Sequence, residues 1–142
     1  MKYITGMYAL NLNCSLDTMG DWHYGCYKWN DIDKKLHNSE DSIFKDYGIE
    51  INTSVFENKN KRYFVANHIR ACLDILEQGK FGSIQGMNKD FIGNSKYDNE
   101  IFNKVLLLKN NSNWENINKF MINEYGIKWI RFIKGVEKNE YK

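Results

Sequence analysis

The sequence predicts an α+β fold: a small antiparallel sheet from the N-terminal half, packed against three or so C-terminal helices. Short runs of β-branched and aromatic residues fill the first part of the chain. Apolar residues spaced by threes and fours fill the second. Strands come first and helices after, so the two segregate instead of alternating.

Residues 2–12, KYITGMYALNL, are expected to form a strand with an irregularity at Gly6. CYKW at 26–29 is strand-like and would pair back on it as a long-looped hairpin. The polar run NDIDKKLHNSEDS at 30–42 is expected to be a surface connection. Residues 43–56 carry a turn at Tyr47–Gly48 and a short strand, IEIN.

Downstream, Val65, Ile69, Cys72, Leu73 and Leu76 recur at helical spacing, and Gly79 suits a helix C-terminus. A helix is therefore expected over about 62–78. Residues 80–95, with Gly82, Gly86 and Gly93, are expected to be a loop or a broken helix. The next helix turns Ile101, Phe102, Val105 and Leu108 inward. Trp114, Ile117, Met121, Tyr125, Trp129 and Phe132 then form one stripe, which predicts a single helix across about 113–134 despite Gly126. The tail VEKNEYK is expected to fray.

A length of 142 residues fits a single globular domain over 1–142, able to bury its own core. Aromatic residues make up 15% of the chain, which argues against disorder. A net charge of +2 is too small to point to nucleic acid. The one basic cluster, ENKNKR at 57–62, has the composition of a solvated loop. Cys14, Cys26 and Cys72 are an odd count without CxxC spacing, so no disulfide framework is expected. No signal-type apolar run opens the chain and no segment approaches membrane-spanning length. These features predict a cytoplasmic protein with free thiols and no membrane partner.

Richness in Lys, Asn and Ile, with no Pro, suggests A/T-rich coding, so Arg70 and Arg131 gain weight where Lys would be the cheaper choice. Three segments could carry chemistry. The first is TMGDWHYG at 18–25, where Asp21, Trp22 and His23 sit in a turn bracketed by Gly20 and Gly25. Alternatively, Asp21 is an Asx-turn residue and Trp22 helps to fix the fold. The second is ANHIR, where Asn67, His68 and Arg70 fall near a helix start and could present donors to an anion. The third is QGMNKDFIG, with Asn88 and Asp90 between glycines.

Converging, the three could place His23 and His68 as acid and base, Arg70 as an anion clamp, and Asp21 or Asp90 as an orienting carboxylate. Zinc is disfavoured: Cys14, His23 and Cys26 lack the close ligand pairs of structural sites. No nucleophilic triad is visible, and Cys72 falls on an apolar helix face. No GxxxxGK[ST] or GxGxxG occurs, so no cofactor is implied.

The segments YALNLNCSLDTMGDWH, SIFKDYGIE, VANHIRACLDILEQG and NWENINKFMINEYGIKW resemble a group of small bacterial proteins associated with mobile elements and with toxin–antitoxin or phage-defence gene clusters. The resemblance spans most of the chain. It implies a partner-binding role and carries over no catalytic residues. The leading expectation is thus a protein-interaction module anchored by Trp22, Arg70 and aromatics of the last helix. The alternative is a small enzyme using His23 and His68 on a phosphorylated or nucleic-acid substrate. Sequence-independent nucleic-acid binding through scattered lysines and aromatics is a third, weaker expectation.

Overall fold

The chain starts in an extended conformation and abandons it at Gly6. In the computed structural model, which describes residues 1–52 and 61–140, strand β1 covers only Lys2–Tyr3. Gly6 adopts a φ of 65° and opens a short helix, α1, over Gly6–Leu10. The predicted strand over 2–12 is therefore wrong beyond its first residues. The burial pattern explains the error: Ala9, Leu10 and Leu12 are all buried, which is not the alternation of a half-buried strand. The Asn11 amide closes α1 by donating to the Met7 carbonyl at 2.8 Å.

Strand β1 pairs antiparallel with β2, His37–Asn38, inside the stretch expected to be a plain surface connection. The predicted CYKW strand is instead irregular. Two 3-10 segments, Tyr24–Cys26 and Trp29–Lys35, flank Tyr27 and Lys28. Trp29 drives this by burial. Its ring stacks on Tyr24 at 4.4 Å and its indole N–H donates to the Tyr24 carbonyl at 2.8 Å.

The IEIN strand and the Tyr47–Gly48 turn form as expected. Strand β3, Ile49–Asn52, pairs antiparallel with β4, Tyr63–Ala66. The tip between them, including most of the ENKNKR cluster, lies outside the described residues. Ile4 extends the pairing by a parallel bridge to Val65. The helical pattern starts later than predicted, because Tyr63, Phe64 and Val65 alternate buried, exposed, buried. Asn67 then caps the helix, its side-chain oxygen accepting the Arg70 N–H at 2.8 Å. Helix α2, His68–Glu77, is buried on every side through Leu76 and is the centre of the fold.

The 80–95 region is a broken helix, with a 3-10 turn at Phe81–Ile84 and a π-helical turn at Met87–Ile92. Helix α3, Asp98–Leu106, buries Ile101, Phe102 and Val105 as predicted. The single helix expected over 113–134 is two: α4, Trp114–Tyr125, and α5, Ile127–Glu140. Gly126 separates them with φ 61° and ψ −134°, far from helical values. A continuous helix would place Trp114 and Trp129 about 22 Å apart along its axis. Their ring centres are 6.3 Å apart, so α5 folds back on α4. The predicted stripe survives this break, with Ile117, Met121, Tyr125 and Trp129 all buried. The tail expected to fray is helical to Glu140.

One cluster of buried residues runs from Tyr3 to Trp129, so the small sheets and the helices share a core. The fold is α+β, as predicted. Among the described residues no helix is long and apolar enough to cross a membrane.

Candidate functional site

The three sequence segments do converge, and they meet at Gly20. Its φ is 69°, and a Cβ there would lie 2.7 Å from His68 Cε1 and 2.8 Å from the Leu10 carbonyl oxygen. Only a glycine lets the 18–23 loop pass this close over the start of α2. The loop is fastened on both sides. Gly20 N–H donates to the Phe91 carbonyl and Asp21 N–H to the Leu10 carbonyl, each at 2.8 Å. Met19 N–H reaches the Ile92 carbonyl at 3.3 Å.

Asp21 is the inner clamp of the loop. Its carboxylate accepts from His23 Nδ1 at 2.9 Å and from the Asn11 amide at 3.0 Å. Asn11 in turn accepts the His23 backbone N–H at 2.8 Å. Partial burial works against the Asp21 charge, but the bonds from His23 and Asn11 outweigh it and hold the carboxyl below its ordinary range. The Asp21 side chain is 7% exposed and that of His23 66%. Between them Trp22 is 79% exposed, and Met19 on the same loop is also exposed. Trp22 therefore does not help to fix the fold; the hydrogen bonds do.

His68 lies beneath the same loop and is buried. Nε2 bonds the Leu12 carbonyl oxygen and Nδ1 the Thr18 hydroxyl, both at 2.7 Å. His68 is thus bonded inside the protein while His23 is exposed, and the expected pairing of the two rings as acid and base on one outside substrate does not form. Two surface clefts, of about 460 and 370 Å³, share His37 and Gln78 in their linings and include neither His23 nor His68.

The anion site expected from Asn67 and Arg70 is also overturned. Asn67 is spent as the helix cap. Arg70 is fully buried and its guanidinium is occupied on every edge. Nε donates to Asp74 at 2.8 Å, Nη1 to the Lys45 and Tyr47 carbonyls at 2.6 Å each, and Nη2 to the Tyr3 hydroxyl at 2.9 Å. Asp74 also accepts from the hydroxyls of Tyr3 and Thr5 at 2.6 Å each. Burial and the neighbouring Asp74 push the Tyr3 hydroxyl well above its ordinary pKa. Arg70 is a structural pin between β1, α2 and the turn before β3. Arg131, the other arginine singled out, is exposed on α5 and lines a shallow cleft with Asp98 and Phe102.

The third segment contributes backbone to the site, not side chains. Asn88 faces α4, donating from its amide to the Glu124 carbonyl at 3.0 Å and from its N–H to the Glu124 carboxylate at 2.9 Å. Asp90 is exposed and folds back toward Gly86, leaving the His23 side chain with Asp21 alone as its carboxylate partner among the described contacts.

Two residues missed in the sequence belong here. Cys14 is half-buried, its sulfur 3.7 Å from the Thr18 hydroxyl that bonds His68. No spacing rule links Cys14 to His68, 54 positions further along the chain, so only the fold reveals them as neighbours. Cys72 is core, as its position on the apolar face indicated, and burial raises its thiol pKa. Among the described residues, no three His, Cys, Asp or Glu side chains are grouped as a metal ion would require. No protein-family model, curated protein or solved structure matches the chain.

Proposed function

We propose that this is a cytoplasmic protein-interaction module that docks a protein partner on the Met19–His23 loop. One observation carries the reading: Trp22 is 79% exposed on a backbone fixed at residues 19, 20, 21 and 23. Tryptophan is the residue type most enriched among energetic anchors of interfaces. A loop ordered in advance loses little conformational entropy on docking. Met19 adds a second exposed, polarizable apolar side chain on the same loop. The partner's matching surface is accordingly an apolar pocket with a rim able to bond the exposed His23 edge.

The resemblance of the four quoted segments to small bacterial proteins supports a narrower form: an antitoxin-like protein, or a partner in phage defence or anti-defence. The enzyme alternative, with His23, His68, Asp21 and Asp90, is not favoured, because His68 is buried and neither cleft described above includes His23 or His68. Nucleic-acid binding has a net charge of only +2 behind it.

Affinity capture at native expression, with wild type beside Trp22→Ala, tests the proposal. The expected result is a partner held by wild type and weakened at least about tenfold by the variant, with an unchanged circular dichroism spectrum. A partner held equally by both proteins moves the interface elsewhere. A wild-type chain that remains monomeric and alone at native expression removes the reading.

A further inference from the structure

We propose that Cys14 is a nucleophilic thiol, served by His68 and oxidised by small hydroperoxides to a sulfenic acid.

The tautomer of His68 is the starting point. The Leu12 carbonyl can only accept, so Nε2 must carry the proton that bonds it. In the neutral ring Nδ1 is then the free base, and it points at the Thr18 hydroxyl 2.7 Å away. That hydroxyl is also in contact with the Cys14 sulfur at 3.7 Å. Thiol, hydroxyl and imidazole thus form a path along which the Cys14 proton can pass to His68 Nδ1.

The surroundings favour the ion pair this produces. Burial works against a charge on Cys14, yet the His68 ring, the His68 backbone N–H at the N-terminus of α2 and the Leu16 N–H together lower the thiol pKa. Burial likewise works against the imidazolium, yet Cys14, the Leu12 carbonyl and the charge of Glu50 on β3 raise the His68 pKa. Glu50 is held in place by the backbone N–H and hydroxyl of Ser15, the residue next to Cys14. A cysteine that served only as packing, like Cys72, would have no such company.

Partial burial of the sulfur selects the reagent. Cys14 is half-buried, which favours a small electrophile over a bulky acyl donor or a folded protein. A hydroperoxide fits, and the step balances. The thiolate attacks the distal peroxide oxygen, the O–O bond breaks and an S–OH bond forms. The leaving oxygen takes the proton held on His68 and departs as water or an alcohol. Sulfur loses two electrons and the peroxide gains them.

Cys26, exposed on the same loop region, is an internal standard. The protein is treated with hydrogen peroxide across pH 5.5–9, and sulfenic acid at each cysteine is trapped by a dimedone-type reagent and read by peptide mass spectrometry. At pH 7 Cys14 is expected to oxidise at least about threefold faster than Cys26, with a pH midpoint below the ordinary thiol value of about 8.5. Equal or slower oxidation of Cys14, or a midpoint no lower than that of Cys26, overturns the proposal. His68→Gln is expected to erase the advantage. Because His68 is buried and its replacement puts folding at risk, Thr18→Val breaks the hydroxyl relay at a half-buried position. A natively folded His68→Gln in which Cys14 keeps its full advantage overturns the role of His68, and a natively folded Thr18→Val that keeps it overturns the path through the hydroxyl.

Discussion

Arg70 and Trp22 carry the most recognition chemistry per side chain in this molecule, and the fold uses them in opposite ways. The guanidinium of Arg70 is turned inward, and its donors meet Asp74, the Lys45 and Tyr47 carbonyls and the Tyr3 hydroxyl. The indole of Trp22 is turned outward on a loop whose backbone and flanking side chains are already satisfied. Both belong to sequence segments that carry a histidine, Trp22 next to His23 and Arg70 two residues after His68. What separates them is whether the neighbouring hydrogen-bonding groups are supplied by the chain itself. Where they are, the residue holds the fold; where the frame closes without the side chain, that side chain is left for another molecule.

The largest expected effect breaks the Arg70 side of this contrast. Arg70→Met strands the buried Asp74 carboxylate and the Lys45 and Tyr47 carbonyls. The loss is expected to be about 3–5 kcal/mol, read from urea denaturation. Arg70→Lys should restore little, because an ammonium cannot span the same fork of acceptors. Adding Asp74→Leu to Arg70→Met should recover part of the loss, since the stranded charge is gone. A stability within about 1 kcal/mol of wild type for Arg70→Met alone would show that the pin is dispensable.

A smaller effect separates the two glycines that bracket the Trp22 loop. Gly20 has a positive φ and no room for a Cβ between His68 and the Leu10 carbonyl. Gly20→Ala is expected to cost about 1–3 kcal/mol. At Gly25 a Cβ meets nothing within 4 Å and the backbone is not left-handed. Gly25→Ala is expected to stay within about 0.5 kcal/mol of wild type. Thermal denaturation of the pair reads the difference, and equal costs would mean that the close passage over α2 does not hold the loop.

The same two residues show what the sequence could and could not reveal. The stripe from Trp114 to Trp129 and the inward face of α3 were legible, because a repeated spacing survives even when Gly126 breaks the helix that carries it. The β1 and α2 boundaries were not. Gly6 ends the first strand through a φ value that composition cannot specify, and the alternation of Tyr63, Phe64 and Val65 is too short to stand out before Asn67. The three polar segments do approach one another at Gly20, but through backbone bonds and not through the side chains expected to form a site. The direction each side chain faces was not legible, since apart from Asp74 the acceptors of Arg70 come from residues 23 to 67 positions away in the sequence. Cys14 was missed for the same reason: its partner is a helix start that the chain reaches only after the whole β3–β4 excursion.

The smallest expected effect sharpens the Trp22 side, and it depends on pH. Asp21 fastens the loop through His23 and Asn11, and its carboxyl is held below the ordinary range. A group whose folded pKa is depressed stabilises the fold above its unfolded pKa of about 3.9, and that contribution fades as the pH falls through the folded value. The exposed His23 side chain is screened by water, so the contribution is expected to be below about 1 kcal/mol. Asp21→Asn should therefore be slightly less stable than wild type near pH 6, and the two urea midpoints should draw together below about pH 4. A difference that persists unchanged into acid would assign the Asp21 effect to shape and not to charge. In that case the loop would be held by its backbone bonds to Leu10, Phe91 and Ile92 alone, and His23 would be as free as Trp22 to meet a partner.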